Sequence, residues 1–117
     1  MSEDDGGPKA FHSRVGTVSI TRHARERFRE RAITVPSRLP EYQLINRMKS
    51  SFAAATVVNL PQNRAVRQLR RHSDSVVILE NPEDGIWFVV AILQKTMCIR
   101  TVIPAKDRKT GKPLFEK

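Results

Sequence analysis

The sequence predicts an α+β domain in which two N-terminal helices pack on a three- to four-stranded antiparallel β-meander. Apolar residues recur at one-turn spacing within residues 20–55, whereas β-branched runs separated by turn signals fill residues 75–104. Short connections between successive strands imply antiparallel neighbours. A chain of 117 residues is expected to form one domain. We predict a disordered leader over residues 1–14, the domain over residues 15–104 and a basic tail over residues 105–117.

The first helix is predicted from Thr21 to about Ala32. The Thr21 hydroxyl can accept a hydrogen bond from a free backbone N–H one turn on, and the residues that follow are rich in Ala, Arg and Glu without Gly or Pro. Ile20, Ala24 and Phe28 share one stripe at helical spacing, which can pack on a core. The neighbouring stripe is polar and comprises His23, Arg27, Glu30 and Arg31.

The second helix is predicted from Glu41 to about Ala55. Val35 precedes Pro36 and is therefore biased towards an extended conformation, which separates the two helices. Pro40 suits the first turn of a new helix. The apolar residues at one-turn spacing are Leu44, Ile45, Met48, Phe52 and Ala55, a pattern typical of a helix that packs on a core.

The second half of the chain is predicted to be extended. The turn signal at residues 81–85 (NPEDG) joins two strands as a hairpin, and the run IWFVVAIL is apolar on both faces, which favours a central strand. The predicted extended segments are 15–19, 56–61, 65–72, 75–80, 86–93 and 97–103. The predicted core comprises Phe28, Ile45, Met48, Phe52, Val77, Leu79, Val89, Ala91 and Ile99.

Charge is the most informative part of the composition. Lys and Arg total 21 against 12 Asp and Glu, which gives a net charge of +9, so polyanions are the first candidate partners. Arginine dominates the clusters, and its planar guanidinium suits bidentate phosphate contacts. The alternative is a solvated basic surface without a partner. The predicted nucleic-acid-binding residues are Arg22, Arg25, Arg29, Arg64, Arg67, Arg70, Arg71, Lys95 and Arg100.

RNA or single strands suit this sequence better than duplex DNA, because it contains no zinc finger, basic zipper or convincing helix-turn-helix. Single-strand binding commonly uses exposed aromatic rings on which bases stack. Such rings are few in this chain. The candidates are Phe11, Tyr42, Trp87 and Phe88, of which Trp87 is expected to lie in the core.

Several classes of function are disfavoured. The sequence has no apolar run near the roughly 20 residues that span a bilayer, so we predict no membrane partner, and its acidic N-terminus does not resemble a secretory signal. A single cysteine, Cys98, excludes an internal disulfide and a multi-cysteine zinc site. Three scattered histidines do not form a metal-ligand pattern. We therefore predict a cytoplasmic protein without a metal or cofactor, and the positive charge excludes a DNA mimic.

His23 is the candidate for catalysis without a metal. RNA carries its own nucleophile, the 2′-hydroxyl, so a protein needs a base, an acid and cations for the charge on the phosphorane. His23 has Arg27 and Arg31 one and two turns further along the predicted helix. The simpler alternative is that these three residues form a solvated helix face.

A resemblance to a known family sharpens the catalytic hypothesis. The run from His23 to Ile33 is similar to the signature H-A-x-x-R-(M/F)-x-x-R-(G/A)-I of small domains related to RelE-type toxins, within the Barnase/EndoU/Colicin/RelE-like group of metal-independent ribonucleases. Residues 100–104 (RTVIP) resemble the final strand of that group. The resemblance implies that the first helix crosses the sheet and brings His23 towards Thr101. The catalytic residues that it implies are His23, Arg27, Arg31 and Thr101.

The sequence therefore predicts a toxin-like, metal-independent endoribonuclease domain that acts on RNA. An alternative is a non-catalytic basic module of the same fold, of phage type, that binds nucleic acid or a nucleic-acid machine such as RNA polymerase or the ribosome. The resemblance also implies a cognate antitoxin as a partner. A third interpretation, a small phage-type protein that acts by protein contact alone, fits the length but has no sequence feature of its own.

Overall fold

A computed structural model describes residues 9–13, 16–36, 38–58, 75–94, 96–106, 110 and 112. The elements are β1 (Lys9–Ser13), β2 (Gly16–Ile20), α1 (Arg22–Arg31), α2 (Glu41–Ala54), β3 (Thr56–Val57), β4 (Ser75–Asn81), β5 (Ile86–Leu93) and β6 (Thr96–Pro104). The strands form one six-stranded sheet in the order β1-β2-β6-β5-β4-β3. Neither helix is long and apolar enough to cross a membrane within this described part.

The sheet corrects the predicted fold class. An α+β architecture is present, but the sheet has six strands and is mixed, and a β-hairpin precedes the helices. β1 and β2 pair antiparallel, while β2 pairs parallel to β6. Gly16 opens β2 with φ +118°, a conformation that glycine adopts without steric cost. The predicted disorder of residues 1–14 is wrong for Lys9–Ser13, because these residues form β1 and pair with β2.

Both helices form where the sequence predicts them. Thr21 is the N-cap of α1, and its side chain accepts from the Ala24 amide at 3.0 Å. Pro40 is the N-cap of α2 rather than a residue of its first turn. The predicted strands at residues 75–80, 86–93 and 97–103 are confirmed, with β4 and β6 slightly longer. The predicted strand at residues 65–72 lies outside the described residues.

The main core lies between the helices and one face of the sheet. Phe28 from α1 stacks on Phe88 from β5 at a ring-centroid distance of 6.0 Å. Phe52 from α2 contacts both Phe88 and Phe11 edge to face, each at 5.6 Å. These pairs add to the burial of the rings themselves. The core residues include Val18, Ile20, Ala24, Phe28, Leu44, Met48, Phe52, Phe88, Val90, Ile99 and Val102.

A second apolar cluster lies on the opposite face of the sheet. It contains Ile78, Trp87, Val89, Ile103 and Ala105, and none of the helical residues that the structure describes belongs to it. Successive side chains of a strand point to opposite faces, and the assignment of β5 residues to the two clusters alternates accordingly. The central strand is therefore apolar on both sides because both of its sides are buried, as the sequence predicts.

A buried polar network joins the turn after β4 to α2. The Asp84 carboxylate accepts from the Ser51 hydroxyl at 2.5 Å and also from Thr34. Asn81 donates to Ser51 from its side-chain amide and accepts from the Asp84 amide, each at 3.0 Å. Arg47 donates to the Thr34 hydroxyl from outside. Because buried polar groups are costly unless they are hydrogen-bonded, this network fixes the position of α2 relative to the hairpin.

Candidate nucleic-acid interface

The position of α1 follows from its N-cap. The Thr21 amide donates to the Ile99 carbonyl at 3.2 Å, and its hydroxyl donates to the Arg100 carbonyl at 3.1 Å. These bonds hold the start of the helix beside β6, where the register with β5 is irregular between Val89 and Val90. His23 follows in the first turn of α1 and is exposed.

The sheet register separates the predicted catalytic residues. Thr101 is the cross-strand partner of Val89, and Val89 belongs to the apolar cluster on the face opposite the helices. Cross-strand partners project to the same face. Thr101 therefore lies on the face of the sheet away from α1, and the structure does not bring it together with His23. Val102, the next residue, is the one that faces the helices.

The arginines of α1 are largely engaged by neighbouring groups. Arg25 is buried; it contacts Glu41 at 2.6 Å and donates to the Ile20 carbonyl at 3.1 Å. Arg29 donates to the Leu39 carbonyl at 2.5 Å and also contacts Glu41. These two guanidiniums join α1 to the start of α2. A buried, ion-paired arginine is a structural residue, so burial removes Arg25 from the predicted nucleic-acid contacts.

The remaining α1 arginines lie nearer the surface but also have partners. Arg22 contacts Glu26 at 3.2 Å, and Arg27 contacts Glu30 at 2.7 Å. Arg31 donates to the Val102 carbonyl at 2.8 Å. Burial lowers the pKa of Arg31, the charge of Arg27 lowers it further, and Glu30 opposes both effects. The polar face of α1 thus carries fewer available cations than its sequence suggests.

A cleft of about 220 Å³ opens between α1 and α2. Its charged lining combines three arginines with two glutamates, and Leu44 forms its apolar wall. The charges that face it are largely paired with one another, as the Glu41 contacts show. The lining residues are Arg22, Arg25, Glu26, Arg29, Glu41 and Leu44.

The other predicted contacts divide into two groups. Arg100 is exposed on β6, next to the irregular register. The remaining predicted contacts lie outside the described residues; they are Arg64, Arg67, Arg70, Arg71 and Lys95. The described side chains contain no group of three or more His, Cys, Asp or Glu that could hold a metal ion.

Tyr42 was predicted as a stacking candidate, but the outer side of α2, to which it belongs, was not predicted as an interface. Tyr42, Asn46, Lys49 and Ala53 recur at one-turn spacing and are all exposed; we call these four residues the α2 outer stripe. The stripe contains no carboxylate. Its signal in the sequence is this absence of acidic residues rather than a high density of basic ones.

No family model matches the chain, and no match to it is found among curated proteins or solved structures. The resemblance to RelE-related domains stays a prediction that rests on the motifs of the first helix and the last strand.

Proposed function

We propose that this protein binds nucleic acid through its phosphates and does not cleave it. The observation that carries the proposal is the net charge of +9 on a chain of 117 residues. Phosphate contacts supply most non-specific nucleic-acid affinity. Arg100 and Lys49, which are exposed, and the arginine-rich segment from Arg64 to Arg71 are the candidate contacts.

Binding without cleavage fits the site better than a ribonuclease does. A general base must lie within hydrogen-bonding reach of the proton that it abstracts, and its partners must share the same site. His23 is exposed on the helix side of the sheet, whereas Thr101 projects from the other face. Arg27 and Arg31 are engaged by Glu30 and by the Val102 carbonyl.

RNA or another single strand is the proposed ligand, free or within the ribosome or RNA polymerase. The chain lacks the helical and zinc-based modules that read duplex DNA. We place this binding in the cytoplasm, since the single cysteine is typical of a protein from a reducing compartment.

The test is a titration of a labelled RNA at several salt concentrations, with EDTA present throughout. We expect log affinity to fall linearly with log salt, and neutralising Arg67, Arg70 and Arg71 together to reduce the slope by about 0.7 for each lost single-strand contact. The control is His23→Ala, which should bind nearly as wild type does because it leaves every arginine and lysine in place.

Two results would overturn the proposal. Absence of binding at low salt would exclude the nucleic-acid function altogether. Cleavage by the wild type in EDTA to products ending in 2′,3′-cyclic phosphates, reduced by about 10²–10⁴ in His23→Ala, would establish a ribonuclease instead of a binding module.

A further inference from the structure

Tyr42 is the aromatic side chain that the fold leaves exposed. Its relative exposure is 67%, and it lies in the first turn of α2. The structure removes the three other stacking candidates, because Phe11, Trp87 and Phe88 are buried. The remaining aromatic residues of the described part, Phe28 and Phe52, are core residues too. Tyr42 is therefore the described ring whose face is open to a ligand.

The surroundings of Tyr42 suit a nucleotide. Its hydroxyl accepts from the Gln43 side chain at 3.0 Å, which restrains the ring at the helix surface. Asn46 and Lys49 follow one and two turns along the same stripe, so the amine lies about 10 Å along the helix axis from the ring. The Tyr42 ring can stack on the face of a base, the Asn46 amide can hydrogen-bond to a base edge, and the Lys49 ammonium can contact a phosphate.

Electrostatics favour a polyanion on this surface. Glu41 is the acidic residue of α2, and its carboxylate contacts Arg25 and Arg29 at 2.6 and 3.6 Å. Those two guanidiniums offset its charge on the side of α2 that faces α1. Lys49 is exposed and takes part in none of the ion pairs of the described part. An approaching phosphate thus meets a cation that pairs with none of the described carboxylates and has no carboxylate beside it on the stripe.

We infer that the α2 outer stripe is a binding site for single-stranded nucleic acid, in which an unpaired base stacks on Tyr42 and a phosphate of the same strand contacts Lys49. The site rests on the proposed function and adds to it the stacking contact and the helix face that makes it. Stacking requires an unpaired base, since a base within a duplex has both faces covered by its neighbours.

The test compares a labelled oligouridine of about 12 nucleotides, within the usual site sizes, with the matching oligothymidine and with an abasic strand of the same length. Tyr42→Ala should weaken binding of both base-bearing strands about 5- to 150-fold and leave the abasic strand unaffected. Tyr42→Phe should bind as wild type does, since it keeps the ring. Lys49→Ala should reduce the salt slope by about 0.7 on all three strands.

Val57→Ala is the matched control, because Val57 is exposed to a similar degree, 68%, but has no π-face. Circular dichroism confirms that each variant is folded. Equal binding by wild type and Tyr42→Ala would overturn the stacking site and leave phosphate binding intact. An equal loss on the abasic strand would also overturn it. Failure of the wild type to bind any strand would overturn both the site and the proposed function.

Discussion

The two helices are held in place in opposite ways. α1 is tied through its polar side, where Arg25 and Arg29 reach Glu41 and neighbouring carbonyls. α2 is tied through its buried side, where Ser51 donates to Asp84, and its outer stripe is left open. α1 carries five arginines, but each of them has a partner, and the single arginine of α2, Arg47, donates to Thr34. The count of charges in a segment measures neither their exposure nor their freedom from partners.

The largest expected effect on stability comes from the ion pair that joins α1 to α2. Glu41→Ala removes the carboxylate that pairs with the buried Arg25 guanidinium. Because Glu41 itself is about half exposed and Arg25 also donates to the Ile20 carbonyl, we expect a cost of about 1.5–3 kcal/mol of unfolding free energy, the usual range for a hydrogen bond to a charged group. Loss of an acidic residue from the first turn of α2 accounts for at most about 1 kcal/mol of this. Chemical denaturation of variant and wild type measures the difference.

Glu26→Ala is the matched control for that variant. Its ion pair with Arg22 is exposed on both sides, so the expected cost is below about 1 kcal/mol. If the two variants lose the same small amount of stability, Arg25 is not a structural residue, and the contrast between the helices is wrong.

Breaking the hydrogen bonds on the buried side of α2 should have an intermediate effect on stability. Asp84→Asn replaces an acceptor oxygen by an amide donor that faces the hydroxyl of either Ser51 or Thr34. We expect a loss of about 1–3 kcal/mol, the usual cost of an unsatisfied buried polar group. The neighbouring Glu83→Gln, on an exposed residue, should change stability by less than about 0.5 kcal/mol. Thermal and urea unfolding measure the stability of both variants. Equal stability of Asp84→Asn and Glu83→Gln would contradict the prediction.

The smallest effect tests the partly buried Arg31. A basic group whose pKa is lowered by folding opposes folding while it is charged, and this penalty falls as pH rises from the folded pKa to the higher, unfolded pKa. Arginine titrates too high for this to be observed, but Arg31→Lys brings the window below the usual lysine pKa of about 10.4. The unfolding free energy of Arg31→Lys relative to wild type should therefore rise as pH approaches about 10.4 from below, by less than about 1 kcal/mol.

The exposed Arg22→Lys is the control for Arg31→Lys, since Arg22 lies largely in solvent. Its stability relative to wild type should stay constant over the same pH range. Parallel pH profiles for the two variants would show that burial of Arg31 imposes no penalty on its charge.

Local signals predicted the helices well. Thr21 caps α1 and the periodic residues of α2 bury their stripe, because caps and periodicity act within one or two turns. The burial of Phe28, Met48, Phe52, Val89, Ala91 and Ile99 is confirmed, and Ile45 and Leu79 are partly buried. Because β5 is apolar on both sides, its sequence does not indicate which side packs against the helices. In the structure, Phe88 and Val90 face the helices, and Val89 faces the other way.

Non-local pairing could not be predicted. The parallel contact of β2 with β6 joins segments that share no sequence pattern, and β1 gains its order from that contact through β2. The facing of Thr101 depends on the irregular register near Val89, and a shift of one residue reverses every side chain beyond it. The candidate site inherits this limit, because exposure of Tyr42 and burial of Arg25 follow from packing rather than from spacing.

The pairing of β2 with β6 has a consequence for how the chain folds. The Thr21 hydroxyl contacts the Ile99 carbonyl across a separation of 78 residues, so the cap of α1 and the centre of the sheet are completed late. At roughly 5–20 residues per second of synthesis, β6 follows β2 by about 4–16 s. During that interval any β1–β2 hairpin that forms exposes the edge that β6 later covers, and contacts between residues far apart in the sequence slow the final closure. Nascent chains are therefore vulnerable to strand-mediated aggregation until the last strand is in place.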